Sequence, residues 1–243
     1  MEQHSIGWYR QRLGQITGSQ VGRLMKKGRT SYFGDDAMSY IYQLAAERCM
    51  SESLLNDDVE FEEYLAHVNF ETKAMRFGTE MEAVARDKYC SINNVECTEV
   101  GLCSHFDIEH FASSPDGIVE SFDGKVALEI KCPTQAVFMR YCDSVIDQED
   151  LKKVKPEYYW QCMAHMMCTG AIRTDFIVFC PFQENPIKVV PIYPDEKAFG
   201  ELTERVREAN NIINSILMKA NGKSNYREGV QHWANSVYSD EER

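Results

Sequence analysis

Three things are missing from this 243-residue sequence. No run of eighteen apolar residues occurs, so no membrane-spanning helix is expected. The opening segment Met1-Glu2-Gln3-His4-Ser5 has no basic stretch followed by an apolar one. It does not read as a secretory signal, and a cytosolic protein is expected. No two of the nine cysteines are spaced as Cys-x-x-Cys. That spacing and the odd number argue against a zinc site or a disulfide framework, and most of the cysteines are expected to be reduced core thiols. Internal repeats and low-complexity linkers are also lacking. What remains, with 44% hydrophobic residues, suits one α/β domain over residues 1–220. A polar tail follows over 221–243, with Trp233 and Tyr238 as isolated apolar points.

Positive charge is scarce overall, since the net charge is −12. It is not evenly scarce. Residues 1–30 carry six basic groups (Arg10, Arg12, Arg23, Lys26, Lys27 and Arg29) against one acidic group, whereas residues 31–130 carry six against 21. A basic patch on an acidic molecule can hold an anionic strand locally and repel it elsewhere. DNA binding through it should weaken steeply with salt.

The densest chemistry lies in residues 114–131, Ser-Pro-Asp-Gly-Ile-Val-Glu-Ser-Phe-Asp-Gly-Lys-Val-Ala-Leu-Glu-Ile-Lys. Ile118 and Val119 favour a strand, Asp123-Gly124 is a two-residue turn signal, and Val126–Ile130 is a second apolar run. A hairpin follows. On its second arm Glu129 and Lys131, two apart, leave the same face. Pairing brings Asp116 toward them. Two close carboxylates repel unless a cation lies between them, and hard divalent cations take oxygen ligands. A lysine on that face can hold or deprotonate a water and stabilise developing charge, so the set suits phosphodiester hydrolysis. A surface hairpin with a solvated Glu–Lys pair is the plain alternative. Against it, the charges flank an apolar strand, and charged groups are rarely buried without a role.

Along the chain, residues 6–15 read as a short helix broken by Ile16-Thr17-Gly18-Ser19. Ser19 is expected to cap a helix over Gln20–Lys27, with Arg12 near that anion-binding end. Met38–Cys49 reads as a helix using Tyr42, Leu44, Ala45 and Ala46 as apolar positions. Residues 51–69 are acidic and irregular, with room for a short helix. Thr72–Ile92 is a long helix whose stripe runs Ala74, Phe77, Met81, Val84, Ala85 and Tyr89. Gly78 on it is expected to admit a neighbouring backbone, and Glu82 follows one turn later, with Arg86 available as an i,i+4 partner. Val95–Ser104 and Phe106–Ser113 are expected strands that join the hairpin in one mixed sheet. Gln135–Ser144 reads as a helix, Val145–Pro156 as a loop with Lys152, Lys153 and Lys155, and Glu157–Cys168 as a helix. Strands at Ile172–Pro181 and Ile187–Ile192 and a helix from Asp195 to about Ala220, stopped by Asn221-Gly222, complete the chain. His165, one turn after Gln161, reads as a core or supporting residue.

Ser114-Pro115-Asp116-Gly117 followed by Leu128-Glu129-Ile130-Lys131-Cys132-Pro133 resembles the phage lambda exonuclease family, the YqaJ-type viral recombinases. Trp8–Ser19 is similar to that family's N-terminal segment, and Phe77-Gly78-Thr79-Glu80-Met81-Glu82 to its Gly-x-x-x-Glu helix. The three segments occur in the family's order. The resemblance implies a restriction-endonuclease-like α/β core, a central mixed sheet flanked by helices. It implies a Mg²⁺-dependent 5′→3′ exonuclease on linear double-stranded DNA that leaves a 3′ overhang, with Mn²⁺ expected to substitute and two ions bound. Asp116, Glu129, the Ile130 carbonyl and Glu82 would ligate metal. Lys131 would orient or activate the water, and Gln161 would assist in the active site. Arg12, Ser19 and Ser114 would hold the 5′ phosphate of a DNA end. A homotrimeric ring, a single-strand annealing partner and residence in a phage or bacterial host cell are implied as well. Some related nucleases carry an iron–sulfur cluster on one early and three late cysteines, but no cysteine follows Cys180. The rival readings are an endonuclease or junction-cleaving nuclease on the same core, and a non-catalytic DNA-end-binding protein.

Overall fold

The computed structural model describes residues 3–28, 31–68 and 72–222. The expected tail therefore lies almost wholly outside the described residues, as does Arg29.

The elements run α1 (Ile6–Arg12), β1 (Ile16–Thr17), α2 (Gly18–Val21), α3 (Asp35–Glu47), α4 (Glu52–Asn56), α5 (Asp58–Val68), α6 (Lys73–Asn93), β2 (Cys97–Thr98), β3 (Cys103–Ser104), β4 (Phe111–Ser113), β5 (Gly117–Ser121), β6 (Gly124–Lys131), α7 (Gln135–Ser144), α8 (Gln148–Val154), α9 (Pro156–Thr169), β7 (Arg173–Phe179), β8 (Ile187–Ile192) and α10 (Glu196–Gly222). A five-stranded sheet has the order β2-β5-β6-β7-β8, and a three-stranded one the order β1-β4-β3. Both are mixed. In the larger, β6 and β7 are parallel while the other neighbours are antiparallel. In the smaller, β1 runs parallel to β4. The α/β class with a mixed sheet flanked by helices holds. The single sheet does not, because β3 and β4 pair with β1 instead of the hairpin.

The hairpin forms with β5 and β6 in register from Gly117↔Leu128 to Ser121↔Gly124. Its turn is one residue earlier than expected. Phe122-Asp123 connects the arms, and Gly124 carries the positive φ of +136° while still pairing with Ser121. Strand β6 is buried from Val126 to Ile130 because it is central, with helices on both faces. α9 covers one face. It buries eight consecutive residues from Tyr159 to Met166. α6 covers the other through Ala85 and Tyr89. The Tyr89 hydroxyl donates to buried Asp175 on β7 (2.6 Å), which fixes the helix to the sheet.

Several sequence expectations shift. α1 ends at Arg12. α2 is four residues long with Thr17, not Ser19, at its N-cap position, so Ser19 lies inside it and caps no helix over 20–27. α3 buries Ala37, Tyr40, Ile41, Leu44 and Ala45, so Leu44 and Ala45 face the core as expected while Tyr42 and Ala46 face outward. The acidic stretch is two helices, α4 and α5, anchored by the Arg10–Asp58 ion pair (2.6 Å) and by Phe61 under the Arg10 guanidinium. The expected stripe of α6 is buried only at Ala85 and Tyr89, and Ala74 and Val84 are exposed. A Cβ on Gly78 would meet nothing within 4 Å, so no backbone among the described residues approaches it. Residues 95–113 form three short strands in place of two long ones. The expected loop 145–156 contains α8, capped by the Asp147 side chain. Residues 221 and 222 do not stop α10, which runs through Gly222. All nine cysteines are free thiols, but only Cys162 and Cys180 are fully buried. No helix among the described residues is long and apolar enough to cross a membrane.

Candidate active site

The hairpin's open end, opposite its turn, holds the acids. Asp116 immediately precedes β5 and donates its amide to the Leu128 carbonyl (2.9 Å), extending the ladder by one bond. Its carboxylate Oδ2 accepts from the Ile130 amide (2.6 Å). That places Asp116 across the end of the strand pair from Glu129 and Lys131. In an antiparallel strand the N–H and C=O of one residue leave by the same edge. The Ile130 carbonyl therefore also leaves β6 on the Asp116 side, beyond the last β5 pairing.

Glu129 is wholly buried. Its Oε2 accepts from Gln161 Nε2 (2.8 Å) and lies 2.6 Å from His165 Nε2. Its Oε1 forms an ion pair with the Lys131 ammonium but receives no directed hydrogen bond. Lys131 Nζ also stands 5.1 Å from the centre of the Tyr158 ring. Glu82 comes from α6 on the other side of the sheet's edge. Arg86, offered above as its partner, is engaged elsewhere, with the Asp116 carbonyl (2.7 Å) and with Glu99. The plain reading of Glu82 as half of a surface ion pair therefore fails.

The electrostatics follow from this crowding. Burial, and then the charge of Asp116, pushes the Glu82 carboxyl up to about 8. Burial, and then the charge of Glu129, pushes Asp116 up to about 7. For Glu129 burial works the other way from its partners. Lys131 and His165 outweigh it, and its pKa is lowered. Burial would lower the Lys131 pKa, but Glu129 and Asp116 raise it well above the usual lysine value. Lys131 is therefore held as an ammonium. As an ammonium it suits charge stabilisation and water positioning.

Three carboxyls share one edge, two of them resist ionisation, and one buried carboxylate oxygen faces only the Lys131 ammonium. Carboxylate oxygens are the ligand type a hard divalent cation takes. Among the described residues no three His, Cys, Asp or Glu side chains close around a single point. Mg²⁺ fits such a site because it keeps several of its waters and needs few protein oxygens.

Arg12, Ser19 and Ser114 are linked through Trp8. Arg12 Nη2 donates to Ser19 Oγ (3.1 Å), and its guanidinium lies 4.2 Å over the Trp8 ring. Trp8 Nε1 donates to Ser114 Oγ (3.3 Å), and Ser114 is two residues from Asp116. The wider basic patch is partly neutralised from within, because Arg10 pairs with Asp58 and Arg23 with Asp36. Lys152 is also committed, to Asp195 and Tyr159.

The YqaJ-like viral recombinase domain matches residues 7–172, most of the chain. The chain belongs to that family. The match runs from α1 to the threshold of β7 and so includes every site residue named above. The YqaJ-like chain also resembles the crystal structure of an alkaline exonuclease, LHK-Exo, from Laribacter hongkongensis. The TM-score is 0.73 at 25% identity, covering 91% of this chain and 99% of that one. The same values hold for LHK-Exo in complex with dAMP. A phage-related exonuclease from Haemophilus somnus 129PT shares the fold, with TM-score 0.60, 14% identity and coverage of 85% and 96%. No curated protein matches the sequence. The fold of this YqaJ-like domain is thus that of nucleases of the lambda exonuclease type.

Trp8 and Ser113 were not singled out in the sequence. Trp8 sits inside the N-terminal segment, so an aromatic beside Arg12 was a usable signal. Ser113 carried none. Its importance depends on a register between β4 and α9 that local spacing does not encode.

Proposed function

We propose that this chain is a divalent-metal-dependent DNA exonuclease that digests one strand of linear duplex 5′→3′ and leaves a 3′ overhang for single-strand annealing. The observation that carries the reading is Asp116 seated on the Ile130 amide, which gathers Asp116, Glu129 and Lys131 at one strand end. Family membership and the likeness to LHK-Exo support the exonuclease class. The arrangement of Arg12 and Ser19 near that edge supports recognition of a 5′ phosphate.

In this reading Asp116, Glu129, Glu82 and the Ile130 carbonyl would hold two Mg²⁺ ions, or Mn²⁺ in their place. When bound, such ions polarise the scissile phosphate and lower the pKa of a bound water. Lys131, held cationic, orients that water and faces the charge that develops on the phosphate. One N–H of Gln161 is committed to Glu129, so Gln161 steadies the carboxylate and does not serve the phosphate with that group. Arg12 and Ser19 fix the terminal phosphate, with Ser114 held against Trp8 between them and the acids. The protein acts as a homotrimeric ring with a single-strand annealing partner.

The test is linear duplex labelled at either end, with and without a 5′ phosphate, with and without Mg²⁺, beside covalently closed circular duplex. Mg²⁺-dependent release of label from the 5′ end, with the circle intact, is expected. Cleavage of the circle would move the protein to the endonucleases. Retention of both labels with tight end binding would make it a binding protein.

A further inference from the structure

Glu129 is oriented from behind by residues that never meet solvent. Ser113 on β4, His165 on α9 and Glu129 on β6 are each 0% exposed. Ser113 Oγ stands 2.7 Å from His165 Nδ1, and His165 Nε2 stands 2.6 Å from Glu129 Oε2. An ionised carboxylate only accepts, so Nε2 carries the hydrogen, and Nδ1 is left to accept from the Ser113 hydroxyl. Glu129 thereby sets the ring's tautomer, and Ser113 holds its far nitrogen. Gln161 donates to the same Oε2. Both inward donors thus fall on Oε2, and the other oxygen, Oε1, is turned to the Lys131 ammonium at the strand end. This division holds the carboxylate in one rotamer.

Room for the pair depends on a missing side chain. A Cβ on Gly18 would stand 2.1 Å from Ser113 Oγ and 3.3 Å from the Ala164 Cβ. Gly18 does not touch Glu129. Its neighbour Ser19 is the partner of Arg12. One short turn, α2, therefore carries an end-binding candidate on its outer side and the clearance for Ser113 on its inner side.

We propose that Ser113 and His165 are a positioning pair for Glu129, turning Oε1 toward the cation site, and that Gly18 is the glycine that lets them sit there. The inference rests on the divalent-cation reading above.

Its test is Mn²⁺ binding to the metal-free protein by calorimetry, with melting temperatures recorded alongside. His165→Asn keeps an amide near Nδ1 but cannot reach Glu129. Its Mn²⁺ affinity should fall about ten- to a hundred-fold, the usual range for losing a partner of a metal ligand. His165→Gln places an amide near Nε2 and should recover most of that loss. Ser113→Ala and Gly18→Ala should each weaken Mn²⁺ binding in the same direction. In the nuclease assay, His165→Asn should raise the Mg²⁺ concentration for half-maximal rate more than it lowers the rate at saturating Mg²⁺. If the Asn variant does not fold, Ser113→Ala decides, since it removes a single hydroxyl. Wild-type Mn²⁺ affinity in Ser113→Ala and His165→Asn would overturn the proposal. If the unaltered protein binds no Mn²⁺, or if Asp116→Asn and Glu129→Gln bind it as well as the unaltered protein, the cation reading itself fails and the positioning claim falls with it.

Discussion

The Asp116 carboxylate closes the open end of the hairpin by accepting the Ile130 amide at 2.6 Å. One bond thus serves the strand pair and aligns the acid with the two charged residues that flank Ile130. Asp116→Asn keeps an oxygen for that amide and removes only the charge. Cleavage of linear duplex should fall by at least about 100-fold, the scale of losing an electrostatic group in an active site, while the folded structure persists. Lys131→Ala should abolish cleavage too but at a larger structural cost. Leaving the buried Glu129 without its cation costs about 3–5 kcal/mol. Urea unfolding of both variants separates these effects. Activity in either variant within about threefold of the unaltered protein would remove that residue from the reaction.

The raised carboxyl pKa values carry a pH signature. Asp116 ordinarily titrates near 3.8 and Glu82 near 4.5; here they stand at about 7 and about 8. A carboxyl whose folded pKa exceeds its unfolded one resists ionisation in the fold. It lowers stability once pH passes the unfolded value, increasingly until the folded value is passed. Metal-free protein should therefore lose melting temperature between about pH 5 and about pH 8 through these two groups. Mg²⁺ should raise the melting temperature strongly at the upper pH and weakly at the lower. An equal Mg²⁺ increment at both would place the cation away from these carboxyls.

Arg12 reaches Ser19 with its fork while its plane rests on Trp8. A charge-assisted bond to a phosphate is worth about 1.5–3 kcal/mol. Arg12→Ala should slow digestion of 5′-phosphorylated ends by roughly ten- to a hundred-fold and leave unphosphorylated ends within about threefold. Arg12→Lys should recover little, because an ammonium has neither the plane nor the fork. A comparison of initial rates on the two kinds of end checks this. Equal loss on both would exclude Arg12 from reading the phosphate.

The hairpin, α7 and the β7–β8 pair were legible because their signals are local: a turn dipeptide, β-branched and aromatic runs, and Pro133 as a stop. The two charges on β6 were legible for a related reason, since a strand's two-residue period fixes their common face. Three features were hidden. α8 lies in a stretch rich in charge, and its stability comes from the Asp147 cap and from burying one leucine, Leu151. The separate β1-β4-β3 sheet depends on a parallel pairing between residues nearly a hundred positions apart. The Ser113–His165 contact spans 52 positions, and neither residue looks unusual alone. Long-range register, not propensity, decides all but the first.

Gly78 sits inside α6 with open space where its side chain would be. A helix-interior glycine ordinarily costs about 0.5–1 kcal/mol relative to alanine. Gly78→Ala should therefore stabilise the isolated protein by up to about 1 kcal/mol, a rise of a few degrees in melting temperature. Nothing in the fold opposes the methyl group. Glu82 lies one turn further along the same helix, so the open space beside Gly78 adjoins the candidate cleavage site. If DNA occupies that space, the same variant should bind duplex ends more weakly while melting higher. The two measurements thus separate a glycine kept for the substrate from one kept for the chain. Higher stability with unchanged end affinity would show that nothing needs the gap, and lower stability would mean the helix is strained there.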